Sequence, residues 1–273
     1  MNSHASRDKF TGTAVRTAVA FAYRDIIGID VADLTLDEAL TFVNARIENA
    51  VHTKISFLNA HNANVAKTDA GFRAALEKFT LFPDGVGVDI AAKLLQGRKF
   101  KANLNGTDFI PALLQSAKKP VKVGLYGAAP DVVIKTAEAF SKLNPENDVR
   151  VLGHGFINEI EQTTMLAEME RWHPDVLLVA LGVPKQELWI ADHLTQKHCS
   201  LAFGIGALFD FAAGNVPRAP QWVRAIRLEW AYRLINEPVR LARRYLLGNP
   251  LFLTRVIAYK FASKSASSGS QNV

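Results

Sequence analysis

The chain has 273 residues, of which 49% are hydrophobic and 21% are charged, with a formal net charge of +6. This composition allows a full hydrophobic core and excludes a chain that is disordered throughout. The single cysteine, Cys199, excludes an intramolecular disulfide and fits a reducing compartment. No window reaches the roughly 18 uncharged apolar residues of a membrane span, and residues 1–24 lack the apolar core of a signal peptide. We therefore expect a cytoplasmic protein without a transmembrane helix.

The first 214 residues alternate between short apolar runs and helical patterns. We expect a flexible segment over residues 1–24, a strand over 26–30, and a helix to residue 49 that begins with a capping box of Thr35 and Glu38. Further strands are predicted, with helices between them, at residues 54–58, 79–82, 122–126, 149–153, 175–181 and 201–205. The alternation predicts a Rossmann-like, doubly wound and mostly parallel sheet for residues 25–214.

Residues 215–262 are predicted to form a separate, basic helical appendage. Residues 215–264 contain ten lysines and arginines against two glutamates, a net of +8, so the rest of the chain carries −2. Helices are predicted up to residue 235, from Pro238 to 247, and over 251–262, and residues 263–273 are predicted to be a disordered tail. Aromatic residues among arginines are typical of a segment that binds an anionic membrane surface. No nucleic-acid motif accompanies the charge, so nucleic acid is not expected as a partner.

The turn after the strand predicted at 79–82 carries a candidate catalytic group. Pro83, Asp84 and Gly85 end the strand, and a helical pattern follows. Ligands of an open parallel sheet bind outside the carboxyl ends of its strands, so an aspartate at this corner is placed to meet one. Glycine beside it lets the backbone approach a ligand closely. The alternative is that Asp84 only shapes the turn or caps the helix.

Polar residues also follow or precede other predicted elements. They are Asn59 after the strand at 54–58, Asn105, Thr107 and Asp108 in a turn before a helix, and Gly182, Lys185, Gln186 and Glu187 after the strand at 175–181. The residues near Asn59 have two interpretations. They form either a helix cap with turn residues or a polar patch at the carboxyl edge of the sheet, where a ligand would enter. Lys185 and Gln186 read either as solvated first-turn side chains or as groups that reach an anion at the sheet crevice.

Several separated motifs resemble the bacterial WecG/TagA/CpsF glycosyltransferase family, in the same order over residues 25–255. They are residues 82–87 (Phe-Pro-Asp-Gly-Val-Gly), 103–108 (Asn-Leu-Asn-Gly-Thr-Asp), 181–187 (Leu-Gly-Val-Pro-Lys-Gln-Glu), 204–214, 228–234 (Leu-Glu-Trp-Ala-Tyr-Arg-Leu) and 237–240 (Glu-Pro-Val-Arg). With Asn-Ala-His-Asn at 59–62, the motif at 103–108 looks closest to the exopolysaccharide branch typified by the xanthan glucosyltransferase GumM.

The resemblance implies an inverting transfer of a sugar from a UDP-sugar to a sugar on a polyprenyl diphosphate, in exopolysaccharide biosynthesis. It implies that Asp84 is the general base and that Lys185, Gln186 and Glu187 belong to the nucleotide-sugar site. Arg233, Arg240 and Arg243 match C-terminal arginines that close over the diphosphate. A lipid-linked acceptor implies an enzyme on the inner face of the plasma membrane, and the family also implies self-association. One departure is Phe57, where other members have threonine, so no role of that threonine carries over.

The chain contains no Asp-X-Asp pair of the kind that holds a metal ion in many transferases. Guanidinium groups bind phosphate in a forked geometry and can stabilise a departing diphosphate without a metal. We therefore expect a metal-independent enzyme with the UDP-sugar as its co-substrate and no further cofactor.

The branch resemblance makes glucose the expected donor sugar. The alternative is N-acetylmannosamine or its uronic acid, transferred during assembly of a cell-surface polymer or teichoic acid. A second alternative is a nucleotide-binding scaffold protein without turnover. An NAD-dependent oxidoreductase is excluded because the glycine fingerprint of a dinucleotide site is missing.

Overall fold

The computed structural model describes residues 21–225 and 228–269, and it begins with a short antiparallel hairpin. Strand β1 (Tyr23–Ile26) pairs with β2 (Ile29–Ala32) through the turn between them. A single strand over 26–30 was the expectation, and it is wrong because Gly28, with a φ of 80°, reverses the chain in the middle of that segment.

The described residues include part of the segment that was predicted to be flexible. Residues 1–20 of the segment expected to be flexible lie outside the described residues, but residues 21–24 do not. Arg24 is buried, and its guanidinium donates to the carbonyl oxygens of Arg98 at 2.7 Å and Lys99 at 2.8 Å. These hydrogen bonds hold the hairpin against the loop after helix α4, defined below. Arg24 is therefore not part of a flexible segment.

A regular alternation of helices and strands follows the hairpin. The elements are α1 (Leu36–Glu48), β3 (Thr53–Leu58), α2 (Ala60–Thr68), α3 (Ala70–Leu76), β4 (Thr80–Pro83), α4 (Val86–Gln96), α5 (Gly106–Ser116), β5 (Lys122–Gly127), α6 (Pro130–Leu143), β6 (Asp148–Gly153), α7 (Glu159–Trp172), β7 (Val176–Ala180), α8 (Lys185–His193), β8 (Leu201–Gly204) and α9 (Leu208–Ala212). The predicted capping box of α1 is confirmed, because Thr35 and Glu38 each accept a backbone N–H of the other.

Strands β3 to β8 form one parallel sheet in the order β4-β3-β8-β7-β5-β6. Helices cover both faces, so the predicted doubly wound parallel sheet is confirmed. The central strand β7 is buried at every position, as expected for a strand with helices on both sides. Leu177 and Val179 face one core cluster, whereas Val176 and Leu178 face the other.

Phe57 belongs to the core beneath the sheet. Its ring packs among those of Phe82, Phe109 and Phe203, with ring centroids 6.2 to 6.5 Å away. A Cβ atom at Gly106 would lie 3.0 Å from the Phe57 ring, so this aromatic residue packs tightly against the glycine at the start of α5. The departure from the family pattern is therefore accommodated by packing between β3 and α5.

The C-terminal helices are α10 (Gln221–Ala225), α11 (Glu229–Asn236), α12 (Pro238–Ala242) and α13 (Gly248–Gly269), with a π-helical segment (Arg243–Leu247) before α13. Helix α13 packs against α2 and α4, and its residues Phe252 and Val256 are fully buried in the core of the sheet domain. Arg255 donates to the backbone oxygen and the side-chain oxygen of Asn64 in α2, at 3.1 and 2.8 Å. The segment predicted as a separate appendage therefore shares its core with the sheet domain.

The disordered tail was predicted to begin at residue 263, and this boundary is wrong. Helix α13 continues to Gly269, because the serine, alanine and lysine residues of this stretch are all tolerated inside a helix. Residues 270–273 lie outside the described residues. None of the described helices is both long and apolar enough to span a bilayer.

The burial of α13 leads to a stability prediction. Replacing Phe252 by alanine should lower the free energy of unfolding by about 3–5 kcal/mol, because the change leaves a cavity between α13 and the sheet domain. Leu251→Ala, on the exposed side of the same helix, is the matched control and should cost far less. Denaturant unfolding of both full-length variants measures this, and equal small losses would contradict the packing described above.

Candidate active site

Asp84 lies directly after β4 and is held by residues that follow the neighbouring strand. Its backbone N–H donates to the carbonyl oxygen of Leu58 at 2.9 Å, and Asn59 Nδ2 donates to Asp84 Oδ2 at 3.1 Å. The cap position of α4 is Gly85, and no side chain caps that helix. Asp84 therefore does not cap this helix, and its carboxylate stands at the carboxyl edge of the sheet.

Asn59 uses both ends of its amide group. Its Oδ1 accepts the backbone N–H groups of His61 and Asn62, each at 3.1 Å, so Asn59 is the N-cap of α2. Because the oxygen faces the helix, the Nδ2 group is left to face Asp84. Asn59 was predicted to contact substrate, and the structure gives it two further roles as helix cap and as partner of Asp84.

The charge state of Asp84 follows from opposing influences. Burial raises the pKa of the Asp84 carboxyl above its usual range. The hydrogen bond from Asn59 and the positive charges of Arg244 and Arg233 lower it, without cancelling the effect of burial. A carboxylate with a raised pKa is a stronger proton acceptor than an ordinary surface aspartate, as a general base requires.

The arginines predicted at this site are placed differently from one another. The Arg233 guanidinium lies 5.0 Å from the centre of the Phe211 ring, and its Nε is buried with no hydrogen-bond partner among the described residues. Arg243 is exposed at the start of the π-helical segment. The backbone of Arg240 belongs to α12, but its side chain lies outside the described part of the structure.

Arg244 is a site residue that the sequence interpretation missed. Its charge acts on Asp84 and also on His61, whose pKa is lowered to about 4 by burial and by Arg244. Arg233, Arg240 and Arg243 were assigned from the family resemblance, and that assignment did not include Arg244. A π-helical turn contains more residues than an α-helical one, so it changes which of the adjacent residues Arg243 and Arg244 faces the sheet. In the sequence, the only signal for Arg244 was its position next to Arg243.

Thr107 and Asp108 of α5, with Asn105 beside them, hold α10 and the segment before it against α5. Asp108 Oδ1 accepts from Arg218 at 2.9 Å and from Arg224 at 3.2 Å, and Arg218 also donates to the Thr107 carbonyl oxygen at 3.2 Å. Asn105 caps α5 and donates to Asp108 Oδ2 at 2.9 Å.

The pKa of Asp108 reflects these contacts. Burial alone would raise it, but the Asn105 hydrogen bond and the charges of Arg218 and Arg224 outweigh burial and lower the pKa. Asp108 is therefore an ionised anchor for the segment that leads to the C-terminal helices.

The residues predicted after β7 divide into an exposed and a buried pair. Gly182, with a φ of 76°, and Lys185, the first residue of α8, are exposed. Gln186 and Glu187 are only 2% and 0% exposed. They are bonded to β3 and to the loop after β8, so solvated first-turn side chains, the alternative interpretation, do not describe them.

The strand order brings most of these residues to one edge. Strands β4, β3, β8 and β7 are consecutive neighbours, so the turns that carry Asp84, Asn59, Gly206 and Gly182 lie side by side. Within residues 21–225 and 228–269, no group of three or more histidine, cysteine, aspartate or glutamate residues could hold a metal ion. Metal independence itself stays a prediction.

A doubly wound sheet with a carboxylate and arginine charges at its carboxyl edge is typical of an enzyme that binds an anionic ligand there. The comparisons with known proteins identify which class. The chain belongs to the glycosyl transferase WecG/TagA/CpsF family, whose model matches residues 24–266. The resemblance based on separated motifs is therefore confirmed.

Several curated relatives share one name, N-acetylglucosaminyldiphosphoundecaprenol N-acetyl-beta-D-mannosaminyltransferase. The Bacillus spizizenii protein is 33% identical over 184 residues, which cover 67% of this chain and 70% of the relative. The Bacillus subtilis protein is 33% identical over 215 residues, covering 77% and 81%. The protein of Staphylococcus aureus strain MW2 is 27% identical over 246 residues, covering 89% and 95%.

The two roles of Asn59 can be separated experimentally. Asn59→Ala should lower the free energy of unfolding by about 1 kcal/mol through the lost helix cap. It should also raise the Asp84 pKa further, since the Asn59 hydrogen bond lowers it. Asn158→Ala removes a cap of the same kind from α7, where Oδ1 accepts from Ile160 and Glu161.

Both variants should lose similar stability, measured by denaturant unfolding. Only Asn59→Ala should move the Asp84 carboxyl resonance, followed by ¹³C NMR across a pH titration. An unmoved Asp84 titration would contradict the contact between the two side chains.

Proposed function

We propose that this chain is an inverting glycosyltransferase that moves a sugar from a UDP-sugar to a sugar carried on a polyprenyl diphosphate. The observation that carries the proposal is Asp84, a carboxylate with a raised pKa at the carboxyl edge of the sheet. The family assignment supports the reaction class. The names of the relatives support an acceptor of the lipid-diphosphate-sugar type.

In the proposed reaction Asp84 takes the proton from the acceptor hydroxyl group. The hydroxyl oxygen then bonds to the anomeric carbon of the donor sugar, while the bond from that carbon to the UDP oxygen breaks on the opposite face. A positioned general base contributes typically ~10²–10⁴-fold to the rate. The hydrogen bond from Asn59 supports this role because it fixes the direction of the carboxylate.

The departing UDP carries negative charge that needs stabilisation. Arg233 and Arg244 already act electrostatically on Asp84, and the buried Nε of Arg233 is without a hydrogen-bond partner among the described residues. The N–H of such a group is suited to donate a hydrogen bond to a phosphate oxygen. We propose that Arg233 and Arg244, with Arg240 and Arg243, bind the diphosphate without a metal, and that Lys185 and Gln186 lie on the nucleotide side.

For the donor sugar, the comparisons favour the alternative over glucose. The relatives are named as transferases of N-acetylmannosamine onto an N-acetylglucosamine-diphosphate-lipid. We therefore propose UDP-N-acetylmannosamine as the donor and a polyprenyl-diphosphate-linked N-acetylglucosamine as the acceptor. The names lend no support to a specific role in exopolysaccharide biosynthesis.

A lipid-linked acceptor requires the enzyme to reach a membrane surface, and the C-terminal helices offer a suitable one. Ile235 and Val239 are 79% and 98% exposed, and Leu246 and Leu247 are also exposed. The basic Arg243 lies exposed between these positions in the chain. Exposed apolar side chains next to basic groups favour a peripheral site on an anionic leaflet, with about 1 kcal/mol for each basic residue near the surface.

Binding to vesicles tests this surface. The double change Ile235→Ser and Val239→Ser should weaken binding to anionic vesicles at least about tenfold, because burying each side chain stabilises by ~1.5–3 kcal/mol. The matched control is Phe156→Ser with Ile160→Ser, which removes equally exposed apolar groups from the region of α7. Flotation of the full-length proteins measures the difference. Equal binding by both double variants would refute the assignment of the membrane surface.

UDP release is the direct test of the proposed reaction. The purified protein should release UDP from UDP-N-acetylmannosamine only when a short-chain lipid-diphosphate-N-acetylglucosamine acceptor is present, and EDTA should not stop it. UDP-glucose, offered with this acceptor and with a lipid-diphosphate-glucose acceptor, is the comparison. If UDP is released from UDP-glucose and not from UDP-N-acetylmannosamine, glucose is the donor sugar. Activity that EDTA abolishes and Mg²⁺ restores would refute metal independence.

The Asp84→Asn variant distinguishes the enzyme from a nucleotide-binding scaffold protein. Asparagine cannot take up the proton, so transfer should fall by ~10²–10⁴-fold while UDP binding is kept. Asp131→Asn, an exposed change in the first turn of α6, should leave both unchanged. UDP binding by the wild-type protein without turnover for any donor and acceptor would favour the scaffold.

A further inference from the structure

Glu187 is a fully buried carboxyl group whose role the proposed reaction does not explain. Its Oε1 accepts from the Ser56 hydroxyl group of β3 at 2.8 Å and from Gln186 Nε2 at 2.9 Å. Its Oε2 is buried with no hydrogen-bond partner among the described residues. Burying a carboxyl group costs free energy unless hydrogen bonds compensate. The two hydrogen bonds to Oε1 supply this compensation, and they link Glu187 to Ser56 and Gln186.

The neighbouring Gln186 amide is held from two sides. Gln186 Nε2 donates to Glu187, and Gln186 Oε1 accepts the backbone N–H of Gly206 at 3.1 Å. A carboxylate only accepts and an N–H only donates, so one orientation of the amide satisfies both neighbours. A Cβ atom at Gly204 would lie 3.0 Å from Gln186 Nε2 and 3.2 Å from Glu187 Oε1, so the two side chains pack tightly against the glycine at the end of β8.

This chain of bonds ends at the edge where the reaction is proposed. Strand β8 pairs with β3, and Gly204 stands opposite Ser56 in the register. The loop that contains Gly206 therefore follows β8 beside Asn59, which in turn contacts Asp84. Gly206 has a φ of 57°, so its backbone conformation is one that an ordinary residue would adopt only with strain.

We propose that Glu187 is a positioning residue: through the Gln186 amide it fixes the loop after β8, where the nucleotide-sugar donor binds. Glu187 is thus reassigned from direct contact with substrate to the support of a neighbour. The inference rests on the proposed function for the identity of the ligand, but the bonds among Glu187, Gln186 and Gly206 do not depend on it.

The ionisation of Glu187 gives the proposal a signature. Burial raises the Glu187 pKa from 4.5 to about 7, against the hydrogen bonds from Gln186 and Ser56. Three groups surround the Glu187 carboxyl group: the Ser56 hydroxyl of β3, the Gln186 amide of α8 and the backbone of Gly204 in β8. The ammonium group of Lys54 does not pair with Glu187, because it donates to the Ala191 carbonyl oxygen at 3.3 Å. The ionised carboxylate is the stronger acceptor, so Gln186 is held more firmly above this pKa than below it.

Two variants of the full-length protein separate positioning from mere filling of space. Glu187→Gln keeps an oxygen that accepts from Ser56 and Gln186 but cannot ionise. Glu187→Leu fills a similar volume and removes the acceptor. We expect Glu187→Leu to raise the donor KM about 10- to 100-fold with a smaller change in kcat, as the loss of a charge-assisted hydrogen bond would. Glu187→Gln should give a donor KM close to that of the wild type below the Glu187 pKa of about 7, where the carboxyl group is protonated.

The donor-independent measurement is NMR of the Gln186 side-chain amide in protein labelled with ¹⁵N-glutamine. In the wild type this signal should titrate near the Glu187 pKa of about 7, and in Glu187→Gln it should not. The same pH step should be absent from the donor KM of Glu187→Gln. Even if Glu187→Leu fails to fold, these two titrations decide the inference.

The possible failures are distinct. A Gln186 signal that titrates identically in the wild type and in Glu187→Gln overturns the inference. So does a Glu187→Leu protein that is less stable yet keeps the wild-type donor KM. If no donor is turned over, the proposed function fails, while the Gln186 titration and its response to added UDP still decide whether Glu187 positions this loop.

Discussion

The hydrogen bond between Asn59 and Asp84 is the contact on which the active edge depends. Strands β3 and β4 are parallel and in register, with Leu58 opposite Pro83, so the next residue of each strand lies beside the other. One amide then serves two purposes, because its oxygen caps α2 while its nitrogen meets the carboxylate. Without such a partner a carboxylate at this depth would be far more costly to ionise. The Asn59 side chain therefore connects the end of β3, the N-terminus of α2 and the candidate base Asp84.

The C-terminal helices complete this edge because they are anchored in the core. Phe252 of α13 reaches Gly87 of α4, and a Cβ atom at Gly87 would lie 3.3 Å from the Ala60 side chain. This close approach of α2, α4 and α13 accounts for a glycine in the motif at residues 82–87. The π-helical segment just before α13 carries Arg244, so the same packing that buries Phe252 also brings a positive charge towards Asp84.

Two acidic residues near this edge illustrate how environment decides a role. Asp108 lies between two arginines and an asparagine, which lower its pKa, and it anchors the segment that leads to α10. Glu187 is buried, and among the described side chains its hydrogen bonds come from the neutral groups of Gln186 and Ser56, so its pKa is raised to about 7. Both lie in motifs that resemble those of the family, yet Asp108 is paired with arginines near the surface, whereas Glu187 accepts from the Gln186 amide inside the fold.

The sequence by itself determined the elements and their class. Apolar runs and caps are local signals, so the parallel sheet, the capping box at Thr35 and the position of Asp84 after a strand could all be predicted, and separated motifs indicated the family. The tertiary structure alone decided which polar residues are free to meet a ligand. Gln186 and Glu187 look like solvated first-turn residues until contacts with β3 and the loop after β8 bury them, and the charge of Arg244 reaches Asp84 only through the placement of the π-helical segment. The C-terminal segment looks separate until Arg255 meets Asn64, 191 residues away in the chain. Burial and partnership arise from packing between distant segments, which no local pattern records.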